Sequence, residues 1–111
     1  MTQHDDRFRL QHMLDHAKEA VSLIEGKKLA DLKYERMLEL SLIRLVEVVG
    51  EAAARISYEE QERYPSIPWA QVVGMRNRLT HGYDQIDLNI LWDTIEIDFP
   101  LLIKELEKIL C

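Results

Sequence analysis

Residues 37–56 read MLELSLIRLVEVVGEAAARI. This stretch belongs to a predicted helix from about Asp31 to Arg55, whose apolar residues cover more than one face: Leu32, Met37, Leu38, Leu42, Leu45, Val46, Val48, Val49, Ala52, Ala53 and Ile56. A helix that is apolar on two faces needs two partners, so we expect it at the centre of the fold or at a subunit interface. Gly50 and the alanines at 52–54 would let a neighbouring helix approach closely.

A first helix precedes this central one. Its apolar positions recur at steps of three and four residues, as one face of an amphipathic helix requires: Leu10, Leu14, Ala17, Val21 and Ile24. We expect Asp5 or Asp6 to cap the start of this helix and Gly26 to end it.

A third helix follows an irregular connection. Residues 57–68 carry two prolines and predict a loop with one short helical turn near Tyr58 to Arg63. Pro68 favours the first position of the next helix, because proline lacks the N–H that would be unpaired there. We expect that helix to run to His81, with Gly82 just beyond its end.

The last helix follows a short turn at residues 84–87. Its apolar stripe is Leu88, Leu91, Ile95, Phe99, Leu102, Leu106 and Ile109. Pro100 lies inside this stripe, so we expect a kink near Glu96 to Pro100 rather than two separate helices. Short loops between four main helices predict an all-α fold, an antiparallel four-helix bundle with a short extra helical turn and a kinked last helix, as one domain over residues 1–111.

Composition supports a small globular protein of the cytoplasm. Of 111 residues, 47% are hydrophobic and 31% are charged, which is enough for a core and a solvated surface. The single cysteine, Cys111, excludes an internal disulfide and fits a reducing compartment. Residues 1–9 lack the apolar segment of a secretion signal, and no apolar run is long enough to span a membrane.

The net charge of −6 argues against a broadly basic surface that binds nucleic acid without specificity. The charge is uneven, however. No Asp or Glu occurs from Arg63 to Tyr83, whereas Arg63, Arg76, Arg78 and His81 all lie in that window. A local anion site therefore fits this part of an otherwise acidic chain.

The segment most informative about chemistry is GMRNRLTHGY, residues 74–83. It combines an arginine, a histidine and a tyrosine near the end of a predicted helix. Residues five apart on an ideal helix differ by roughly 140° in direction, so Arg76 and His81 face one point only if the helix ends or loosens by His81. Gly82 would supply that ending.

Such a pair has the chemistry to cleave RNA without a metal. The reaction needs a base for the 2′-hydroxyl, an acid for the leaving 5′-oxygen and a cation for the extra charge on phosphorus. His81 can serve as base or acid, and the guanidinium of Arg76 can bind phosphate oxygens in a bidentate fork. One histidine cannot easily do both jobs, which predicts a composite site at a two-fold dimer interface. By spacing alone, however, an Arg and a His at a helix end are more often salt-bridge or capping groups.

The segment resembles the Arg-x4-His-x-Tyr signature of HepT-like toxins of the HEPN class, with Arg76, His81 and Tyr83 in place and Asn77 as the polar residue after the arginine. Three further stretches resemble landmarks of that family in the same order: residues 46–53, residues 67–69 and residues 91–93. The resemblance thus spans nearly the whole chain.

The resemblance implies a homodimeric, metal-independent endoribonuclease that is the toxin of a bacterial or archaeal toxin–antitoxin pair, with Arg76 and His81 catalytic and Asn77 supporting. It implies an antitoxin that is a minimal, MntA-like nucleotidyltransferase, which neutralises the toxin by AMPylation of Tyr83. An added phosphate beside Arg76 and His81 would occupy the site with a substrate-like anion. RNA is the expected substrate; no cofactor, metal, DNA or membrane is expected.

Two other functions stay open from the sequence. The chain could be a non-catalytic substrate-binding or regulatory subunit of a nucleotidyltransferase, in which the basic window holds a nucleotide phosphate. It could also be a structural dimerisation domain, which would leave Arg76 and His81 dispensable. Cleavage of RNA that disappears in His81→Ala separates the enzyme from both.

Other polar and aromatic residues have simpler explanations. His12 and His16 have the spacing of zinc ligands and flank Asp15, but a solvated helix face explains them without a third ligand. Glu47 and Glu51 lie four apart, and we expect that one of them orients an arginine such as Arg76 or Arg55, or faces solvent. Trp69 and Trp92 could stack on bases, although we expect both to pack in the core.

Overall fold

The computed structural model describes the backbone of residues 3–81 and 85–111 and the side chains of residues 5–79 and 85–111. Within these ranges helices dominate, and a two-residue antiparallel strand pair is the only extended structure, so the predicted all-α class is confirmed. The elements are α1 (Gln3–Leu23), α2 (Asp31–Tyr34), α3 (Arg36–Ala54), α4 (Tyr58–Arg63), α5 (Trp69–Val73), α6 (Met75–Leu79), β1 (Thr80–His81), β2 (Gln85–Ile86), α7 (Leu88–Asp93), a π-helical turn (Thr94–Asp98) and α8 (Phe99–Leu110).

The four predicted helices appear as α1, α2 with α3, α5 with α6, and α7 with the π-helical turn and α8. Helix α1 packs against α3 and α8, and α3 also packs against α5 and α6. The prediction that the central helix needs two partners is thus confirmed. At the other side of α1, the guanidinium of Arg7 donates to the carbonyl of Leu110 over 3.2 Å and joins the first turns of α1 to the end of α8. The largest fully buried side chains fill the space between these helices: Leu10, Met13, Leu42, Val46, Phe99 and Leu106.

The central helix is divided near its start, which the sequence analysis did not predict. Glu35 separates α2 from α3 with backbone angles of −111° and 84°, outside the helical region. Its carboxylate accepts from Lys27 Nζ at 3.0 and 3.1 Å, so the residue between α2 and α3 is bonded to the loop that follows α1. Gly26, in that loop, has a φ of +73°, which agrees with its predicted role in ending the first helix.

Asp6 joins the start of α1 to the start of α4. The prediction that Asp5 or Asp6 caps α1 is wrong, because the helix already includes Gln3 and both aspartates lie within its first turn. The Asp6 carboxylate is buried and accepts from the backbone N–H of Ser57 at 3.0 Å and from its hydroxyl at 2.7 Å. The Ser57 hydroxyl oxygen in turn accepts from the N–H of Glu60 and caps α4.

We expect Asp6→Ala to lower the free energy of unfolding by about 2 to 3 kcal/mol, because it leaves the N–H and hydroxyl of Ser57 without their acceptor. Urea unfolding followed by circular dichroism measures the change. Asp15→Ala is the matched control, since Asp15 lies on the same helix with an exposed side chain and should change stability by under about 0.5 kcal/mol. Equal effects of the two substitutions would contradict this role for Asp6.

The last helix changes its hydrogen bonding close to where the kink is predicted. Pro100 has no N–H, so the carbonyl one turn before it cannot be paired in the usual way. The chain widens there into the π-helical turn, in which the N–H of Phe99 donates to the carbonyl of Thr94. Asp87 caps the helix start by accepting from the N–H of Ile90 at 3.1 Å. In residues 3–81 and 85–111, no helix is both long and apolar enough to cross a bilayer.

Candidate active site

The predicted catalytic segment lies where α3 and the α5–α6 pair approach most closely. A Cβ atom built on Gly50 would lie 3.3 Å from the carbonyl oxygen of Val72 and 3.4 Å from that of Val73. A side chain at position 50 would therefore push the two helices apart. The predicted close approach at Gly50 is confirmed, and it brings α6 beside the outer face of α3.

Arg76 reaches across this contact to Glu47. Its Nε donates to Oε2 of Glu47 over 2.7 Å, a short charge-assisted hydrogen bond between α6 and α3. The side chain of Arg76 is 61% exposed and that of Glu47 is 21% exposed, so the pair lies at the surface with the carboxylate on the inner side. The bond through Nε limits rotation of the guanidinium, whose plane is thereby held against α3.

Glu47 and Glu51, one turn apart on α3, have different partners. Glu47 pairs with Arg76, as the hypothesis of an arginine-orienting glutamate requires, whereas Glu51 lies 3.7 Å from Arg44 on its own helix. Glu47 and Glu51 both line a shallow depression of about 150 Å³, with these other residues: Gly50, Ala54, Val73, Arg76 and Asn77. The structure thus brings Arg76, Asn77 and Glu47 together at one opening.

The other arginines of the acid-free window are also paired. Arg78 lies 3.5 Å from Asp98 in the π-helical turn, and Arg63 lies 3.1 Å from Glu60 within α4. Each acid comes from outside the window, so the fold offsets much of the positive charge that is concentrated in the sequence. The Arg78 pair was missed because Asp98 is 20 positions away and no sequence spacing links them.

The third helix ends earlier than predicted. The structure interrupts it at Gly74 and ends it at Leu79, and Pro68 is its N-cap instead of its first helical residue. His81 therefore lies in β1 and not in a last helical turn, which corrects the sequence-based placement. Antiparallel pairing causes the difference, because Thr80 faces Ile86 and His81 faces Gln85 across the strands.

Because His81 belongs to this strand pair, its direction relative to Arg76 is not fixed by the geometry of a continuous helix. The N–H of Asp87 donates to the carbonyl of Leu79 over 2.8 Å and closes the turn behind the helix end. The condition set by the sequence analysis, that the helix ends by His81, is met in the backbone. The side chain of His81 lies outside the described residues, as do Gly82, Tyr83 and the start of the predicted turn at Asp84.

The remaining candidates occupy helix faces or the core. The rings of His12 and His16 meet edge to face on one side of α1, and His16 Nδ1 lies 2.7 Å from the carbonyl of His12. Trp92 is buried and Trp69 is half-buried, with its Nε1–H donating to the carbonyl of Tyr64, so the core placement of both tryptophans is confirmed. Among the residues that the structure describes, no group of three His, Cys, Asp or Glu side chains converges on a metal site.

Comparison with known proteins decides the family. The ribonuclease HepT-like family matches residues 13–109, most of the chain. The chain belongs to the ribonuclease HepT-like family. It is 31% identical over 107 residues to a Methanocaldococcus jannaschii protein named "Putative RNase MJ1380", covering 96% of this chain and 98% of the relative. It is also 32% identical over 100 residues to the "Probable ribonuclease HepT" of Thermococcus cleftensis, covering 86% of this chain and 91% of the relative.

Membership of the HepT-like family confirms the family predicted from residues 74–83 and the prediction of a ribonuclease. The matched range contains every predicted site residue: Arg76, Asn77, His81 and Tyr83. No solved structure matches the chain.

Proposed function

We propose that this protein is the toxin of a toxin–antitoxin pair and a metal-independent endoribonuclease that uses Arg76 and His81. The observation that carries this proposal is the hydrogen bond from Arg76 Nε to Glu47, which presents an exposed guanidinium at a shallow opening. A guanidinium held in this way favours binding of phosphate oxygens, because less side-chain freedom is lost when the phosphate binds.

His81 supplies the proton transfers in this mechanism. As a base it takes the proton of the 2′-hydroxyl, whose oxygen attacks phosphorus. As an acid, a histidine gives a proton to the 5′-oxygen that leaves, so the products are a 2′,3′-cyclic phosphate and a 5′-hydroxyl. Arg76 offsets the negative charge that builds up on the phosphoryl oxygens. Asn77, at the same opening, is proposed to support the bound phosphate.

A homodimer would complete the site. Each chain provides one histidine from this segment, and the reaction needs a base and an acid. A two-fold axis beside α6 would bring a second copy of the segment opposite the first and supply the second histidine. Val73, one turn before Arg76, has a 40% exposed side chain and lies on the lining of the same opening, where a partner could cover it.

An RNA cleavage assay tests the nuclease against the binding module. Unmodified protein, checked by mass spectrometry, is incubated with a broad RNA panel in the presence of EDTA. The proposal expects cleavage. Tight binding to a nucleotidyltransferase without any cleavage by unmodified protein would favour the regulatory subunit instead.

We also propose that AMPylation of Tyr83 by a minimal nucleotidyltransferase turns the toxin off. Tyr83 is two residues beyond His81, so an AMP group there adds a phosphate close to both proposed catalytic residues. We expect ribonuclease activity to fall in proportion to the modified fraction measured by mass spectrometry.

Tyr83→Phe provides the control for that experiment. It removes the acceptor hydroxyl and should leave cleavage active in the presence of the nucleotidyltransferase and ATP. Loss of cleavage in this variant under the same conditions, with no AMP attached, would contradict control through Tyr83.

A further inference from the structure

A second depression adjoins the candidate active site on the next face of α3. It has a volume of about 300 Å³ and lies between α1 and α3, with this lining: Phe8, Arg9, His12, Val48, Glu51, Ala52 and Arg55. We call it the Phe8 groove. Glu51 lines both the Phe8 groove and the opening at Arg76, so the two depressions meet over one turn of α3.

Three rings form a row along α1, and the first two of them, Phe8 and His12, line this groove. The centroids of Phe8 and His12 are 4.3 Å apart, and those of His12 and His16 are 5.5 Å apart. Successive members are four residues apart, which places them on one helix face. Phe8 ends the row with a side chain that is 58% exposed. An exposed ring supported by a second ring is a surface on which a planar group such as a nucleobase can stack.

Arg55 provides a cation in the same groove. Among the arginines that the structure describes, it is the one whose guanidinium makes no ion pair or hydrogen bond. Its backbone carbonyl accepts from Arg9 Nη1 at 3.4 Å, which brings a second guanidinium to the groove. The acidic member of the lining, Glu51, is partly offset by Arg44 at 3.7 Å. An exposed guanidinium without a partner is suited to an anionic ligand.

We propose that the Phe8 groove binds a single strand of RNA that continues from the opening at Arg76. One base stacks on Phe8 and His12, and a backbone phosphate binds Arg55. This inference rests on the proposed ribonuclease function and extends its substrate contacts beyond the reacting phosphate. An α-helix is about 10 Å across, so a strand that passes over α3 needs only a few nucleotides to reach both depressions.

The groove favours RNA over a second copy of the chain. The exposed apolar surface among its lining residues is concentrated in one ring, that of Phe8. A stable protein interface usually buries about 800 Å² on each partner, with few charges at its centre. An exposed ring next to an unpaired arginine is instead the combination with which proteins hold single-stranded nucleic acid.

Binding of an RNA that cannot be cleaved tests the proposal. The probe is a fluorescent 2′-O-methyl oligoribonucleotide long enough to span both depressions, and its affinity is measured by anisotropy at several salt concentrations. We expect Phe8→Ala and Arg55→Ala each to weaken binding by roughly 5- to 50-fold. Arg55→Ala should also lower the slope of log affinity against log salt by about 0.7, whereas Phe8→Ala should leave that slope unchanged.

Matched controls come from the opposite end of α3. Tyr34 is an exposed ring just before that helix, and Arg36 is an exposed arginine at its first residue. Tyr34→Ala and Arg36→Ala should bind the probe like the wild type. Cleavage of a short RNA that reaches only Arg76 should be unchanged in Phe8→Ala and Arg55→Ala, while the KM for a long RNA should rise.

Each outcome separates this inference from the proposed function. If both groove variants bind the probe with wild-type affinity, the Phe8 groove does not bind RNA, even if the protein cleaves RNA. Weaker binding of the probe in both variants, without cleavage of any RNA by the wild type, supports RNA binding in the Phe8 groove and contradicts the proposed ribonuclease activity. A change in the oligomeric state of Phe8→Ala, seen by sedimentation with RNA affinity unchanged, would assign the groove to a second copy and overturn the RNA proposal.

Discussion

Replacing Arg76 with alanine should lower the rate of RNA cleavage by roughly 100- to 1,000-fold, the usual effect of removing one group that stabilises transition-state charge. The loss should appear in kcat as well as in kcat/KM, because the charge on the phosphoryl oxygens is greatest in the transition state. Arg76→Lys should retain part of the activity, since it keeps the charge but loses both the bidentate fork and the Nε donor to Glu47.

Arg78→Ala is the matched control for that experiment. It removes an arginine only two residues away that also pairs with an acid, Asp98, on a neighbouring element. We expect its cleavage rate to stay within a few-fold of the wild type. Equal losses in Arg76→Ala and Arg78→Ala would mean that the segment contributes general positive charge, and would contradict a specific role for Arg76.

Glu47→Ala should reduce kcat by roughly 10- to 100-fold while changing KM little, because displacement of a catalytic group by about 1 Å can have an effect of that size. The carboxylate does not need to touch the RNA for this result. It accepts from Arg76 Nε over 2.7 Å and thereby holds the guanidinium in place, so Glu47 is a positioning residue. Glu47→Asp should restore part of the rate if its shorter side chain can still reach Nε.

Glu51→Ala is the control, because Glu51 lies one turn further along α3 and forms its ion pair with Arg44. The nitrogen chemical shift of Arg76 Nε, measured by NMR, should move in Glu47→Ala and stay in place in Glu51→Ala. An unchanged Arg76 signal together with wild-type cleavage in Glu47→Ala would show that this ion pair does not contribute to the reaction.

Local sequence pattern was sufficient for most of the fold. The stripe through Leu10, Leu14 and Ala17 is buried, as its spacing of three and four residues predicts. The central helix packs on two sides because its apolar residues occupy two faces. Pro100 marked the disturbed part of the last helix, since the absence of an N–H acts on the turn that precedes it.

Contacts between distant residues limited the rest. The break at Glu35 comes with an ion pair to Lys27, and the early end of α6 comes with the pairing of residues 80–81 with 85–86. Neither has a strong local signal in a sequence with good helix formers. The aspartates at positions 5 and 6 resembled capping residues, but Asp6 instead binds Ser57, 51 positions away.

The candidate site shows the same division. Residues 74–83 identified the family because their motif is local, and membership of the HepT-like family confirms that inference. That one glutamate of α3 orients an arginine was expected, but the choice of Glu47 for Arg76 depends on the contact at Gly50. Phe8 went unnoticed because a single aromatic residue on a polar helix face carries no signal without its neighbours in space.

The metal-independent cleavage by His81 is tested most directly with two RNAs of the same sequence, one with ribose throughout and one with 2′-deoxyribose at the cleaved positions. Both are incubated with unmodified wild-type protein and His81→Ala in the presence of EDTA, and the ends of the fragments are analysed by mass spectrometry. We expect cleavage of the ribose substrate by wild type only, with 2′,3′-cyclic phosphate ends. Cleavage of the deoxy-substituted substrate, or undiminished activity in His81→Ala, would contradict it.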